Sequence, residues 1–143
     1  MILLIQRVEY AKLYVKGKLF SEIKDGFLVF VGIEKSDENK IEKAIDKFLK
    51  IKIIEDENGK FKYSLNEKPM PLLVVSEITL IPDFKDNKPE FTNSPQKEIA
   101  EKLYLNFIEA LKEKGFNVER GLFGEFMEIE NKNLGPVSFY LKI

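Results

Sequence analysis

Hydrophobic and polar residues follow two periods along this chain, and the switches between them mark its elements. Ile2 to Val8 reads as a strand, with Gln6 and Arg7 as polar interruptions that need partners if buried. Leu13, Val15, Leu19 and Ile23 form the apolar side of a hairpin over Lys12 to Ile23, turning at Lys16-Gly17-Lys18. A third strand, Phe27 to Ile33, follows Asp25-Gly26, and three strands before any helix argue against a plain βαβ repeat. Ile41, Ala44, Ile45, Phe48 and Leu49 then fall at helical spacing, behind Ser36 or Asp37 as the cap.

Ile51 to Ile54 returns to strand, and Glu55 to Lys60 is an acidic turn whose spacing does not match a calcium loop. Leu72 to Val75 gives four consecutive apolar β-formers, the signature of a strand buried on both faces. Phe84 to Phe91 reads as a polar loop. A second helix is expected with Ser94 as its cap and Pro95 at its first position. Its stripe is Ala100, Leu103, Tyr104, Phe107, Ile108 and Leu111, and Gly115 stops it. Strand alternation resumes with Met127 and Ile129 and again with Val137, Phe139, Leu141 and Ile143, on either side of Gly135-Pro136.

Composition narrows the chemistry. The chain has no Cys and no His, which excludes Ser-His-Asp and Cys-His catalysis, zinc-thiolate sites and histidine bases. No cofactor or metal site is expected, and proton transfers fall to carboxylate, lysine, tyrosine, water, backbone or substrate. A net charge of −1 leaves no basic footprint for nucleic acid, although a local patch is compatible with it. No apolar run approaches the roughly 20 residues that cross a bilayer, and Met1 to Val8 lacks the basic region of a signal peptide. The expectation is one soluble, cytoplasmic domain over residues 1–143 with no membrane partner.

The sharpest candidate site is the end of the buried strand, where Ser76, Glu77 and Thr79 interrupt the apolar run around Ile78. A rigid core strand is a good mount for reactive groups, although hydroxyls at a strand end also serve as ordinary turn chemistry.

In this order and at these spacings, the motifs of the whole chain resemble those of the D-aminoacyl-tRNA deacylases, also called D-tyrosyl-tRNA deacylases. The resemblance is carried by Ile5-Gln6-Arg7-Val8, the Gly17 hairpin, Gly26-Phe27-Leu28-Val29 with Gly32, and Glu55-Asp56 before Gly59-Lys60. It continues through Leu73 to Leu80, Lys88-Pro89-Glu90-Phe91, Phe123-Gly124 with Met127, and Gly135-Pro136-Val137-Ser138. The chain departs from the family pattern at Glu77, where the family has Gln, and at Ser138, where it has Thr. Lys52 and Lys88 stand where the family commonly has Arg, so bidentate contacts are lost at both.

The resemblance implies an α+β fold: a curved, mostly antiparallel, barrel-like sheet with two helices packed outside. It also implies hydrolysis of the ester that joins a D-amino acid, or glycine, to the terminal ribose of tRNA, as chiral proofreading in translation. The partners implied are the 3′ end of aminoacyl-tRNA and a second copy of the chain, whose cis Gly135-Pro136 reaches into the site and excludes L side chains. Thr79, Ser76 and the backbone N–H of Ile78 become the catalytic candidates, with Glu77, Gly135, Pro136, Phe123 and Met127 around the substrate. Phe123 and Met127 serve equally well as core, and Arg7, Lys85 and Lys88 are candidates for contacting tRNA.

Two roles for Thr79 compete. As a nucleophile it lacks a neighbouring histidine to take its proton; as an orienting group it leaves the attack to water assisted by the ribose 2′-OH, which is the favoured reading. Two other functions fit the same residues: a catalytically weak tRNA- or nucleotide-binding homodimer, and a small-molecule esterase that depends on Thr79.

Overall fold

The computed structural model describes all 143 residues. Its strands are β1 (Ile2–Val15), β2 (Lys18–Gly32), β3 (Ile54–Glu55), β4 (Phe61–Tyr63), β5 (Leu72–Ser76), β6 (Asp83–Lys85), β7 (Lys88–Glu90), β8 (Val118–Arg120) and β9 (Met127–Lys142). The helices are α1 (Ile41–Lys50) and α2 (Lys97–Glu113). Five strands form the main sheet in the order β8-β5-β2-β1-β9, with two small hairpins, β3-β4 and β6-β7, beside it.

β1 pairs antiparallel with both β2 and β9, while β5 lies parallel to β2 and to β8. The sheet is mostly antiparallel by the length of its pairings, as expected, but it is mixed and open, with β8 and β9 as its edges, and does not close into the expected barrel-like form. Parallel neighbours need a crossover, and each helix supplies one: α1 lies between β2 and β5 in sequence, α2 between β5 and β8. No helix is long and apolar enough to cross a membrane.

The three expected opening strands are two long ones. The Lys12 to Ile23 hairpin continues in both directions, from Ile2↔Gly32 to Val15↔Lys18, around Lys16-Gly17. Both turn residues have positive φ (51° and 74°), which matches the right-handed twist of the flanking strands. The polar interruptions find partners on the neighbouring strands: Gln6 donates to the Ser138 hydroxyl of β9 (3.1 Å), and Arg7 is satisfied inside the pair. Arg7 bonds the carbonyls of Val8 (2.8 Å) and Gly26 (3.1 Å) and the carboxylate of Asp25 (2.6 Å). Gly26 is required by a close approach, because a Cβ there would lie 2.2 Å from the Pro71 carbonyl that leads into β5.

Side-chain alternation along the sheet divides the core. Leu3, Ile5, Phe27, Val29, Val31, Leu72 and Val74 face α1 and α2, while Val8, Ala11, Leu13, Ile23, Leu28, Leu73 and Val75 form a smaller cluster. The expected stripe of α2 is buried at all six positions, and Ala44, Ile45, Phe48 and Leu49 of α1 are buried as expected.

Helix starts differ from expectation. α1 begins at Ile41 behind Lys40, because Asp37 is drawn elsewhere. It is fully buried, and its carboxylate accepts from the α-ammonium of Met1 (2.7 Å), the Glu34 N–H (2.7 Å) and Lys40 Nζ (3.3 Å). Ser36 instead accepts from Lys40 Nζ. α2 begins two residues past Pro95, behind Gln96, and the Ser94 hydroxyl is used on the Pro95 carbonyl.

The Ile51 to Ile54 strand shrinks to Ile54–Glu55, paired with β4. In the acidic turn Asp56 Oδ1 accepts from the N–H groups of Asn58 and Lys60, which is turn chemistry. The expected polar loop over residues 84–91 contains the β6-β7 hairpin, turning at Asp86 and Asn87 with φ of 50° and 62°. Finally, β9 is continuous through Gly135-Pro136, which bulge away from β1 at a register shift between Gln6 and Val8.

Candidate functional site

β5 is held between two parallel neighbours, with Leu72 to Val75 buried. Beyond Ser76 the ladder makes one last bond, from the Glu77 N–H to the Val31 carbonyl (2.9 Å). The chain then curls into a single 3-10 turn, Ile78–Leu80, with Glu77 as its cap. Gly32 lets this turn fold back against β2, since a Cβ there would lie 3.0 Å from Leu80 Cβ.

The turn opens onto a cavity of about 920 Å3 whose walls include Ser76, Glu77, Ile78, Thr79, Phe123 and Met127. Six of the candidate residues are thus assembled by one chain. The volume falls in the range of small-molecule sites. Phe123 is seated by Tyr104 of α2, whose ring lies 5.8 Å away. The buried Tyr104 hydroxyl donates to the Val74 carbonyl (2.8 Å) and accepts from the Gly121 N–H (3.1 Å). It therefore ties the end of β5 to the segment that carries Phe123. Burial pushes that hydroxyl up to about 12, against the pull of the Gly121 backbone and the Arg120 charge.

The backbone donors of the turn are in two states. The Thr79 N–H (3.2 Å) and Thr79 Oγ1 (2.5 Å) both donate to Glu77 Oε1. The Ile78 N–H has no acceptor in the chain. The expected donor, the Ile78 N–H, is therefore open, while the adjacent Thr79 N–H is covered by Glu77. The Thr79 hydroxyl does have a carboxylate acceptor, which sequence order alone did not reveal, although a carboxylate is a weak base toward an alkyl hydroxyl.

Gly135 is placed elsewhere. It lines a second cavity of about 310 Å3 with Arg7, Leu134 and Val137, and neither it nor Pro136 borders the Thr79 cavity of the same chain. Their peptide bond is cis. Asn133 braces the bulge, donating to the carbonyls of Arg7 (2.9 Å) and Val137 (3.0 Å). Arg7 has its guanidinium engaged within the chain. Lys85 and Lys88 are exposed on the β6-β7 hairpin.

Sequence reasoning missed Lys97, Glu125 and Phe126, which also line the large cavity. Lys97 forms no ion pair, and a Cβ on Gly124 would lie 3.2 Å from its Nζ. The glycine in Phe123-Gly124 was the available signal, since it gives the Lys97 side chain room along the wall. Phe126 is 82% exposed at the rim.

A rigid strand end with an N–H that has no acceptor in the chain, hydroxyls alongside and a cavity at the turn is an arrangement compatible with carbonyl chemistry, in which a developing oxyanion needs a fixed donor. The family model described as D-Tyr-tRNA(Tyr) deacylase matches residues 4–142. The chain is 43% identical over 143 residues to the D-aminoacyl-tRNA deacylase of Thermodesulfovibrio yellowstonii, covering 99% of this chain and 98% of that protein. It is 40% identical to the enzyme of the same name from Aquifex aeolicus, over 96% of this chain and 94% of the relative. Among solved structures, one titled c-Myc DNA Unwinding Element Binding Protein superposes with a TM-score of 0.92 at 35% identity, covering 100% of this chain and 99% of that one. A probable eukaryotic D-amino acid tRNA deacylase shares the fold, with a TM-score of 0.85 at 18% identity over 99% of this chain and 98% of that one. The chain belongs to the D-Tyr-tRNA(Tyr) deacylase family.

Proposed function

We propose that this protein hydrolyses the ester of D-aminoacyl-tRNA, releasing the D-amino acid and reusable tRNA. The observation that carries the reading is the Ser76 to Thr79 turn, which is mounted on a buried strand, lines a cavity of about 920 Å3 and leaves the Ile78 N–H without an acceptor in the chain. An aminoacyl ester is already activated, so holding its carbonyl against a preorganised donor supplies much of the acceleration; one such donor is worth about 100- to 1,000-fold. Water attacks the carbonyl carbon, the Ile78 N–H receives the oxyanion, and the ribose hydroxyl leaves. Thr79 orients rather than attacks, because the acceptor of its hydroxyl proton, the Glu77 carboxylate, is a weak base toward an alkyl hydroxyl. Ser76 stands at the same wall, and Phe123 and Met127 bound the space for the amino-acid side chain.

The site is completed by a second copy. Two observations support this. Gly135 and Pro136 do not border the Thr79 cavity of their own chain, and β9 is an edge strand with alternating apolar residues and no fully buried position. Edge strands of that kind invite pairing. Gly135-Pro136 from the partner then meets the α-carbon of the substrate and leaves no room for an L side chain, which rejects the L ester by steric conflict. Lys85 and Lys88, exposed on the β6-β7 hairpin, and Lys97, on the cavity wall, are the residues we assign to the acceptor-stem phosphates. The 143 residues act as one domain, in the cytoplasm, on the 3′ end of charged tRNA.

The test is incubation of the protein with D- and L-tyrosyl-tRNA. Selective loss of the D ester is expected; equal loss of both, or turnover of simple esters, overturns the reading. Thr79→Ala is expected to keep at least about one fifth of the activity, since an orienting hydrogen bond is worth about 1 kcal/mol. A drop of several thousandfold would establish Thr79 as a nucleophile.

A further inference from the structure

Two phenylalanines three residues apart line the large cavity on different terms. Phe123 is packed against the Tyr104 ring. Phe126 is 82% exposed at the rim, more than any other large hydrophobic residue of the chain, and no ring or cation of the chain lies against its faces. A lone exposed aromatic is ordinary, but this one is mounted, and it has a cation beside it. The Glu125 N–H bonds the Leu122 carbonyl (3.3 Å) to close a turn, Gly124 takes a φ of 76°, and Met127 enters β9 opposite Val15. The Lys97 ammonium lies over the same turn, 3.2 Å from where a Cβ on Gly124 would sit, and forms no ion pair. The other charged residues on the wall, Glu77 and Glu125, are acidic, so Lys97 is the place on it that attracts an anion. An aromatic face and an unpaired cation on one short segment match the two recognisable parts of a nucleotide, its base and its phosphate.

We infer that Phe126 stacks on the base of the nucleotide that precedes the esterified one, and that Lys97 pairs with the phosphate joining the two. The inference rests on the deacylase reading above. In that reading the ester belongs to the terminal ribose and is drawn to the strand end at Ile78, so the terminal nucleotide fills the cavity and the nucleotide before it lies at the rim. Lys97 is thereby narrowed to one phosphate of the acceptor end. The contact tolerates any base, because every base has a π-face. It also answers a difficulty of composition: a chain of net charge −1 has no broad basic footprint with which to hold a polyanion, and a stacked base supplies affinity that does not depend on charge.

The experiment measures kcat/KM for D-tyrosyl esters carried by tRNA, by adenosine alone, by the dinucleotide CpA, and by a CpA analogue that lacks the cytosine base. Phe126→Ala is expected to slow the tRNA and CpA esters by about tenfold and to leave the adenosine and base-free esters within about twofold. Phe126→Tyr keeps a ring and should stay within about twofold of the wild type on every ester. Lys97→Met is expected to slow the tRNA, CpA and base-free esters alike, to spare the adenosine ester, and to reduce the salt slope on tRNA by about one. Both side chains are exposed, so these variants are expected to fold. Equal losses on the adenosine and CpA esters in Phe126→Ala overturn the inference, since the ring would then bound the terminal nucleotide. Unchanged rates on all the esters overturn it too, and so does a weaker dimer of Phe126→Ala in sedimentation, which would make the ring a contact between copies. A base-free ester spared by Lys97→Met overturns the pairing with phosphate. A wild type that hydrolyses none of the esters refutes the deacylase reading instead, so the two failures are distinct.

Discussion

β5 and β9 belong to one sheet and are built on opposite terms. β5 has five residues, four of them buried, and a parallel neighbour on each side. β9 has sixteen residues, none fully buried, and a single neighbour, β1, which it follows with two register shifts. Packing within one chain is enough to place the residues that follow β5, which suits a group that must meet a reacting atom within a fraction of an ångström. β9 is secured at its ends and braced at its bulge by Asn133, while Met127, Ile129, Val137, Phe139 and Leu141 stay half covered. The molecule thus separates the two demands of its proposed reaction. The donor for the oxyanion sits on the strand that needs no partner, and the feature assigned to chirality sits on the strand that lacks one.

The largest effect should come from loosening the end of β9. There the C-terminal Ile143 carbonyl and the Met1 α-ammonium meet (3.3 Å) above Asp37 and Glu34. Asp37→Ala removes a fully buried carboxylate and leaves the ammonium with one ionic partner. Breaking a buried pair in this way costs about 3–5 kcal/mol. Urea unfolding at neutral pH measures it; a loss below about 1 kcal/mol would mean that water takes the place of the carboxylate.

Next comes the bulge. Gly135 has φ of 111°, and a Cβ there would lie 2.6 Å from Val137 Cγ2 and 2.9 Å from Val137 N. Gly135→Ala must therefore shift the bend, and a displacement of about 1 Å near reacting groups costs on the order of 100-fold in rate. The comparison sharpens in mixed dimers. Ile78→Pro deletes the β5 donor and Gly135→Ala damages the β9 bend, each inactivating a homodimer. Unfolding and refolding the two together should restore about half of the wild-type activity per heterodimer, because one of its two sites draws an intact turn from one chain and an intact bend from the other. If mixing restores nothing, the bend acts within its own chain and the proposed division between strands is wrong.

Much of this arrangement was legible in the residues, and the exceptions share a cause. Leu72 to Val75 and the α2 stripe obeyed local periodicity because each packs on neighbours that impose one period. The opening strands were split between Val8 and Lys12 and at Asp25-Gly26, and Gln6 and Arg7 stood as unexplained polar interruptions. Arg7 and Asp25 in fact neutralise each other across the pair, a compensation invisible to either segment alone. The α1 cap was misplaced for a similar reason, since Asp37 answers a charge 36 residues away. In the site, Ser76 to Thr79 stood out as a polar break in a buried run. Lys97 did not, because it reaches the cavity from the first turn of another element. Glu77 was visible as a departure from the family's Gln, but its hold on Thr79 is a property of the 3-10 turn and needed coordinates.

The smallest effect tests why β5 is so well placed. Tyr104→Phe keeps the ring against Phe123 and removes the hydroxyl that joins the Val74 carbonyl to the Gly121 N–H. Those two groups also bond each other (2.9 Å), so neither is left without a partner. The loss should be about 1 kcal/mol in urea unfolding at pH 7. The pH dependence identifies the hydroxyl as the source. Burial raises its pKa from 10.0 to about 12 in the folded protein, so its contribution is complete below pH 10 and is lost as the pH rises toward 12. Between those values the unfolded chain ionises this tyrosine and the folded chain does not, which draws the wild type toward unfolding. Tyr104→Phe lacks that step, so its stability should fall less steeply over the same interval, with the other tyrosines contributing equally to both proteins. Identical alkaline slopes would show that Tyr104 is solvated, and that the end of β5 owes its position to the sheet alone.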